Sequence, residues 1–389
     1  MESTLRRTWA EINLDAIAYN YTKIREKIGK DVKFLGVVKA DAYGHGSIQV
    51  GHLLEDLGAD YLAVSSADEA LELRLNGIKM PILILGHTPK EQVGRLIEFD
   101  ITQAITCKAK ADEYSAEAVK CGGTLKVHIK VDTGMSRLGY LCDNGYFETG
   151  VEGIVEACNM PGLNAEGIFT HFAEADEHGE EKDRYTKHQF ELFMNVINAV
   201  EEKLGRKFQI RHCANTGATV RFPETYLDMV RPGLLLYGYG EFAHQMNLKP
   251  AMTMKTTVST IKIYPNGTEI SYGGMFVTDK KTRIGVLPYG YADGFLRSLS
   301  NKCSLYTKEG PAKLRGKICM DMCMIDITDM PTVDVGSEVE IFGEKNSIDT
   351  LADAAGTIPY ELTCAVSKRV PRIYIRDGKV IEKELMLRM

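Results

Sequence analysis

The sequence contains no long apolar run and no block of basic residues. No stretch of its 389 residues approaches the roughly 20 apolar residues that span a bilayer, so a membrane protein is not expected. The formal net charge of −6 comes without a basic patch, which disfavours a nucleic-acid surface and favours a small-molecule partner. The first seven residues include two arginines but no apolar run follows them, so a signal peptide is not expected either.

Cysteine pairs of the kind that bind zinc or form redox motifs are also missing. The count of nine is odd, no two cysteines form a C-x-x-C pair, and Cys319 and Cys323 come nearest to one. We therefore expect reduced thiols rather than disulfides, and no metal site. The remaining composition, 44% hydrophobic and 26% charged, is that of an ordinary globular protein, and the expected location is the cytoplasm.

Short β-branched runs alternate with amphipathic stretches over the first part of the chain. In the first amphipathic stretch Asp15 is expected to cap a helix and Gly29 to end it. Strands that are each followed by a helix form a (β/α)8 barrel, whose active site lies where the strands end. The predicted barrel strands are residues 33–38, 61–64, 82–85, 101–105, 125–131, 165–170, 209–213 and 229–236.

The pattern changes after about residue 245. Alternating runs at 256–264, 283–287 and 339–342 are separated by turn signals such as Pro265-Asn-Gly and Asp377-Gly, which is typical of antiparallel strands. We therefore predict an α/β barrel domain at residues 1–245 and a mostly antiparallel β domain at residues 246–389. About the first ten residues are expected to pack with the β domain.

Lys39 is the first candidate for chemistry, because it ends the first predicted strand. Burial there would favour a neutral amine that can react with a carbonyl, although a solvated lysine at a strand end is the plainer alternative.

His128, Lys130 and Asp132 share a face by strand alternation, where an apolar layer would be expected. Lys130 and Asp132 could simply pair, or they could position a group in the barrel mouth.

Three further polar segments follow later strands of the predicted barrel. Because parallel strands end at one rim, we expect these segments to lie close together. Backbone N–H groups in them could hold a phosphate, although each glycine alone is more simply explained by a turn. The segments are Phe169-Thr-His171, His212-Cys-Ala-Asn-Thr-Gly217 and Val230-Arg-Pro-Gly-Leu234.

The segment Val38-Lys-Ala-Asp-Ala-Tyr-Gly-His-Gly46 resembles the cofactor-lysine motif of the alanine racemase family. The resemblance extends from about Trp9 to Tyr374 and implies a pyridoxal-phosphate enzyme that interconverts L-alanine and D-alanine and supplies D-alanine for peptidoglycan. It also implies a head-to-tail homodimer with shared active sites. Seven more segments resemble the family in the same order: Lys130-Val-Asp-Thr-Gly-Met, Thr170-His-Phe-Ala, Val230-Arg-Pro-Gly, Ile270-Ser-Tyr-Gly, Gly290-Tyr-Ala-Asp-Gly294, Ile318-Cys-Met-Asp321 and Ser367-Lys-Arg-Val-Pro371.

The resemblance implies a role for each matching residue. Lys39 would bind the cofactor and act as one proton-transfer base, and Tyr272, supplied across the dimer interface, would be the opposite base. Arg137 and the backbone of Met320 would receive the substrate carboxylate, and Lys130 would be carbamylated so that it orients Arg137. The implied cofactor contacts are Tyr43, His171, His212, Asn215, Thr216, Arg231, Gly233, Leu234 and Tyr360.

Some features of the sequence bear on alternatives. Ser136, Thr216 and Lys317 stand where the family commonly has Gly, Ser and Arg, and Thr216 keeps the hydroxyl that phosphate binding needs. A barrel decarboxylase would need a carboxylate where Arg231 stands, and a non-catalytic cofactor-binding barrel would lack the second domain. A serine or broad-spectrum racemase stays open, because one hydroxyl in a small pocket changes binding by only about 1 to 3 kcal/mol.

Overall fold

The structure, a computed structural model, describes residues 7–384. Residues 1–6, which carry most of the segment considered as a signal peptide and part of the one expected to pack with the β domain, lie outside this range. The described chain divides into a barrel unit, Tyr21–Ala42 with Ser47–Leu236, and a β unit that contains the other described residues. The predicted boundary at residue 245 stays a prediction. Within the described range, no helix has the length and apolar character needed to cross a membrane.

Strands and helices alternate through the first two thirds of the chain. They are β1 (Thr8–Asn13), α1 (Leu14–Ile28), β2 (Lys33–Val37), α2 (Lys39–Gly44), α3 (Ser47–Asp56), β3 (Tyr61–Val64), α4 (Ala67–Leu75), β4 (Ile82–Ile84), α5 (Val93–Glu98), β5 (Thr102–Ile105), α6 (Lys108–Lys120), β6 (Leu125–Asp132), β7 (Tyr140–Leu141), α7 (Phe147–Cys158), β8 (Leu163–Phe169), α8 (Glu180–Leu204), β9 (Ile210–His212), α9 (Thr216–Arg221), β10 (Met229–Val230), α10 (Leu234–Tyr237) and α11 (Glu241–Gln245).

Strands dominate the remainder. They are β11 (Met252–Thr257), β12 (Thr260–Tyr264), β13 (Glu269–Ile270), β14 (Phe276–Val277), β15 (Thr282–Leu287), β16 (Ser304–Thr307), β17 (Gly310–Lys313), β18 (Cys323–Asp326), β19 (Glu338–Phe342), β20 (Arg372–Arg376) and β21 (Lys379–Glu384), with helices α12 (Ile348–Ala355) and α13 (Pro359–Ala365) between β19 and β20. Short 3-10 helices lie at Lys90–Gln92, Pro223–Thr225, Tyr272–Gly274, Tyr291–Asp293 and Arg297–Leu299.

Parallel strands form the core of the barrel unit, in the order β10-β2-β3-β4-β5-β6-β8-β9. Two backbone hydrogen bonds join the two ends of this row: Asp228 N donates to Arg211 O at 3.1 Å, and Arg231 N donates to Ala214 O at 2.9 Å. Strands β3, β4 and β5 are buried at every residue, as expected when helices cover a parallel sheet. The predicted (β/α)8 barrel is confirmed.

The eighth predicted strand, 229–236, is wrong in length. Only Met229–Val230 is a strand, and Leu234–Tyr237 is a helix. Pro232 lies between them, and a proline has no N–H to donate to a strand ladder. The apolar residues of this run are buried, most of them in helical rather than extended backbone.

Helix α1 begins and ends near the predicted residues, with a different cap. The side chain of Asn13, not Asp15, accepts the backbone N–H of Ala16, at 3.0 Å. Asp15 lies one residue inside the helix, where a carboxylate still interacts favourably with the N-terminal end. Gly29 ends the helix as predicted: its φ is +80° and its N–H donates to Arg25 O at 3.0 Å.

The β unit is mostly antiparallel, as predicted. Its main sheet has the order β17-β16-β19-β11-β1-β20-β21, in which β1 pairs antiparallel with β11 and parallel with β20. A smaller sheet has the order β12-β15-β18. The strand predicted at 256–264 is instead two strands, β11 and β12, in different sheets, because the chain turns from one sheet to the other between them.

The chain after β2 forms a left-handed helical turn. Ala40, Asp41 and Ala42 have φ values of +52°, +55° and +51°, which residues with a Cβ rarely adopt. Left-handed helical backbone costs about 1 to 2 kcal/mol per residue, so the surrounding structure has to support it. Glu69 of α4 does so: its two carboxylate oxygens accept the N–H of Ala40 at 2.7 Å and the N–H of Ser65 at 2.6 Å.

Replacing Glu69 by glutamine should therefore destabilise the barrel unit. A glutamine presents one acceptor oxygen and one NH2 group, so one of the two backbone N–H groups would face another donor. We expect Glu69→Gln to lower the free energy of unfolding by about 1 to 3 kcal/mol, measured by urea denaturation. Glu72→Gln, at an exposed position of the same helix, is the matched control. Equal midpoints for the two variants would contradict the supporting role of Glu69.

Candidate active site

Lys39 lies directly after β2, at the carboxyl end of the strand, and begins the left-handed turn. Its side chain is half-buried. The positive charge of Lys39 is among the causes that lower the pKa of both Lys130 and His171. Three of the predicted site residues, which are far apart in sequence, therefore lie within electrostatic range of one another in the barrel unit.

Lys130 is a buried cation near the end of β6. Burial lowers its pKa to about 8, and the positive charges of Arg137, Arg231 and Lys39 act in the same direction. Asp132 opposes this shift, but its carboxylate accepts the backbone N–H of Gly134 and of Ser136 instead, each at 3.0 Å. Simple pairing of Lys130 with Asp132, the plain alternative from the sequence, is not found among the described residues.

Arg231 follows β10 and places a buried guanidinium at the same rim. Its Nη1 donates to His212 Nδ1 at 3.2 Å, and its Nη2 lies within hydrogen-bond distance of Thr170 O, His171 Nδ1 and Cys213 O, at 2.8 to 3.2 Å. Within residues 7–384, no carboxylate contacts the guanidinium and no group accepts from its Nε–H. Burial lowers the pKa of Arg231 to about 10, so it remains charged at neutral pH.

The two histidines that contact Arg231 are neutral. Burial lowers the pKa of His171 and of His212 well below the ordinary value, and the charge of Arg231 lowers both further. Because an arginine only donates, the Nδ1 atom of each imidazole must accept. Each ring then carries its proton on Nε2.

Thr216, Gly233 and Leu234 come together between β9 and α10. The hydroxyl of Thr216 accepts the backbone N–H of Gly233 at 3.0 Å, so the hydroxyl hydrogen is left for an anion. Leu234 begins α10, and the first N–H groups of a helix have no partner inside it. The side-chain oxygen of Asn215 accepts the N–H of Ala218 at 3.0 Å and caps α9.

Tyr43 and Tyr360 lie together in the β unit, with ring centroids 5.5 Å apart. Tyr43 is buried, and its ring also packs on Tyr237 at 5.2 Å. Burial raises the pKa of Tyr43, and the charges of Tyr360 and Cys364 raise it further. Tyr43 therefore keeps its hydroxyl proton and can donate a hydrogen bond.

Tyr272 and Met320 line a different part of the β unit, a pocket of about 520 Å³ that Tyr43 and Tyr360 do not line in the described chain. Tyr272 follows Ser271, whose φ is +68° and whose hydroxyl donates to Lys317 O at 2.7 Å. The Tyr272 side chain is 67% exposed and Met320 is 53% exposed, which is unusual for apolar side chains of this size.

Sequence reasoning missed three acidic residues of the barrel unit. Glu69 supports the turn after Lys39, and Ser66-x-x-Glu69 has the spacing of a capping box that could have drawn attention to it. Asp176 accepts the backbone N–H of Gly217 at 3.0 Å. This N–H lies in a segment that was predicted to hold a phosphate, but it already donates its hydrogen bond to a carboxylate. Glu166 is buried inside β8, and its signal was a charged residue within a predicted barrel strand.

Comparison with known proteins gives matches over nearly the whole chain. A family model for the alanine racemase N-terminal domain matches residues 12–241, and one for the C-terminal domain matches residues 251–374. An alanine racemase from Clostridium tetani is 43% identical over 386 residues, which is 97% of either chain.

Solved structures agree with these matches. An alanine racemase from Clostridium difficile is 37% identical, with a TM-score of 0.93 over 99% of this chain and 100% of its own. An alanine racemase from Bacillus anthracis with bound L-Ala-P is 35% identical, with a TM-score of 0.89 over 98% of each chain. The two family models, the full-length identity and the shared fold show that this chain belongs to the alanine racemase family.

Proposed function

We propose that this protein is a pyridoxal-phosphate-dependent isomerase that interconverts L-alanine and D-alanine and provides D-alanine for peptidoglycan. The proposal rests on the surroundings of Arg231. Within the described chain, no carboxylate contacts its buried guanidinium, and no group accepts a hydrogen bond from its Nε–H. The relative from Bacillus anthracis, which binds L-Ala-P, supports a small amino acid as substrate. The cytoplasm is the proposed location, in keeping with nine cysteines that are all thiols.

The residues at the rim of the barrel unit suit pyridoxal phosphate. The Nε–H of Arg231 can donate to a pyridine nitrogen, and His212 holds the guanidinium from behind. Thr216, Gly233 and Leu234 offer a hydroxyl and backbone N–H groups for a phosphate. The remaining proposed cofactor residues are Lys39 as the covalent attachment, with His171, Asn215, Tyr43 and Tyr360.

Inversion at a carbon atom needs proton transfer on two opposite sides. When bound, pyridoxal phosphate supplies an electron sink for the α carbon. The amine of Lys39 takes the α proton, or its ammonium returns it, on one side, and the phenolate of Tyr272 takes it, or its hydroxyl returns it, on the other. The guanidinium of Arg137 and the backbone of Met320 bind the substrate carboxylate, which fixes the α carbon between the two bases.

Lys130 is the proposed site of carbamylation. The neutral amine attacks carbon dioxide, a nitrogen–carbon bond forms, and one amine proton leaves to solvent. The product carries a negative charge where the structure otherwise has a buried cation beside Arg137 and Arg231. An anion at this point would stabilise Arg137 in one orientation by a charge-assisted hydrogen bond.

A second copy of the chain is the proposed partner. The β unit exposes a group of large side chains around Tyr272, and exposed apolar patches of this kind are commonly covered by a partner. A head-to-tail homodimer would allow Tyr272 of one copy to serve the active site of the other. The exposed group consists of Tyr272, Met275, Met320 and Met322.

The competing functions lack support in the structure. A decarboxylase of the same cofactor type would need a carboxylate where Arg231 stands, and within the described residues no carboxylate contacts the guanidinium of Arg231. A non-catalytic cofactor-binding barrel would not carry a β unit with sheets of its own. The relatives over the full chain length are named alanine racemases, which favours alanine over serine as the main substrate.

The attachment of the cofactor predicts a covalent label on one lysine. Borohydride reduction of the holoenzyme should leave a pyridoxyl mass on the peptide that contains Lys39, and Lys39→Ala should lose both this label and the visible absorbance of the enzyme. Lys33→Ala, at the exposed start of the same strand, should keep both. A label on any other lysine of the wild-type enzyme would show that the assignment of Lys39 is wrong.

The lowered pKa of Lys130 predicts how its carbamylation depends on pH. Only the neutral amine reacts, and with a pKa of about 8 the neutral fraction rises about tenfold between pH 7 and pH 9. The carbamate signal in ¹³C NMR with labelled bicarbonate should therefore grow with pH over this range. Lys130→Ala should lack the signal. A wild-type spectrum without a carbamate carbonyl at high bicarbonate would rule the modification out.

Shared active sites predict complementation between two inactive variants. Lys39→Ala and Tyr272→Phe should each lose most activity, because each lacks one base. A mixed dimer contains one site with both defects and one intact site, so subunit exchange should restore up to about half of the activity per mixed dimer. The measurement is alanine racemisation after exchange, with each variant alone as control. If exchange is demonstrated and activity does not return, Tyr272 does not serve the partner's site.

A further inference from the structure

A row of buried polar side chains leads from Arg231 into the barrel core and ends at Glu166. Arg231 Nη1 lies 3.2 Å from His212 Nδ1, and His212 Nε2 lies 2.9 Å from His128 Nδ1. His128 Nε2 in turn lies 3.6 Å from Oε1 of Glu166. All four side chains are buried, and the proposed mechanism involves only those of Arg231 and His212.

The direction of each hydrogen bond in this row follows from Arg231, which only donates. His212 must accept on Nδ1, so a neutral His212 carries its proton on Nε2 and donates to His128. His128 then accepts on Nδ1 and carries its own proton on Nε2, which faces Glu166. Burial lowers the pKa of both imidazoles, which favours the neutral forms that this order requires.

The backbone of β6 and β8 makes room for the ring of His128. The pairing of β6 with β8 shifts register between Val127 and His128. A Cβ on Gly167 of β8 would lie 2.6 Å from the His128 ring, so a side chain there would displace the ring. Phe169 stacks on His212 with ring centroids 4.8 Å apart and planes 9° from parallel. Both imidazoles therefore have little freedom to turn away from the row.

Among the four described side chains of this row, Glu166 is the only negatively charged one. Its Oε1 also lies 3.4 Å from the hydroxyl of Tyr61 and 3.4 Å from that of Thr102, and both hydroxyls can donate to it. The carboxylate lies 3.6 Å from His128 Nε2, which is an ion-pair distance rather than a hydrogen bond. Its charge still attracts the Nε2–H of His128 in this buried setting, which polarises both imidazoles and makes the distant acceptor stronger. Through two imidazoles, its charge acts on a guanidinium that no described carboxylate contacts directly.

We propose that Glu166 is a positioning residue for the racemase, which acts through His128 and His212 to hold Arg231 as a fixed donor. Arg231 sets the proton order of the row, and the negative charge of Glu166 polarises both imidazoles in that order, which makes His212 a stronger acceptor for the guanidinium. Arg231 then has one orientation, in which Nη1 and Nη2 are hydrogen-bonded to the protein and the Nε–H would be left to donate to the cofactor. This role rests on the proposed function of Arg231.

The first test is the position of the protons in the wild-type holoenzyme. In ¹⁵N NMR of enzyme labelled at histidine, His128 and His212 should both be neutral with the proton on Nε2, from about pH 6 to about pH 9. Assignment comes from His128→Gln and His212→Gln spectra. A proton on Nδ1 of either ring, or a doubly protonated His128, would overturn the proposal. This readout does not depend on racemase activity.

The second test removes the charge and keeps the shape. In Glu166→Gln Arg231 still sets the proton order, so the tautomers should persist, but the Nε2–H proton of His212 should shift upfield as the loss of the charge weakens its hydrogen bond. We expect kcat for alanine to fall about tenfold. Glu202→Gln, at an exposed position on α8, is the matched control and should change neither quantity.

The outcomes separate this inference from the proposed function. If the His212 resonances of Glu166→Gln match those of the Glu202→Gln control, the row does not transmit the charge and the proposal is wrong. If the tautomers and the shift are as expected but the wild-type enzyme does not racemise alanine, the proposed function fails and the proton order of the row still stands.

Discussion

The buried guanidinium of Arg231 is the constraint on which the rest of the site depends. A buried charge is costly unless hydrogen bonds stabilise it, and here carbonyl oxygens and imidazole nitrogens do so in the absence of a contacting carboxylate within the described chain. His171 and His212 must be neutral acceptors for this arrangement to hold. One charge therefore decides the protonation of its neighbours, and these neighbours decide which atom of Arg231 is left to bind a ligand.

The strained turn after β2 lies at the same rim of the barrel unit as Arg231. Ala40, Asp41, Ala42 and Tyr43 adopt left-handed backbone. Glu69 accepts the N–H of Ala40 in this turn with one carboxylate oxygen and the N–H of Ser65 with the other. Strain of this kind persists where the surrounding structure fixes it, and it is often found at active sites. The left-handed backbone therefore lowers the stability of the barrel, and it fixes the direction in which Lys39 leaves its strand.

Most of the fold could be predicted from the sequence because it depends on local periodicity. Seven of the eight predicted barrel strands match within about two residues, and Gly29 and Asp377-Gly end or turn the chain as expected. The strand at 229–236 failed because a run of buried apolar residues does not distinguish a strand from a short buried helix. The strand at 256–264 failed because nothing local marks where a chain passes from one sheet to another.

The sequence by itself determined the family resemblance, the alternation of strands and helices in the barrel, and the identity of the candidate residues, because each of these depends on short segments of the chain. Only the tertiary structure placed Glu166 in a row with His128, His212 and Arg231. The row crosses four strand segments and depends on a register shift and on the space above Gly167, which no local pattern encodes. Hydrogen-bond order is a property of neighbours in space, so it is decided when the strands close into a barrel.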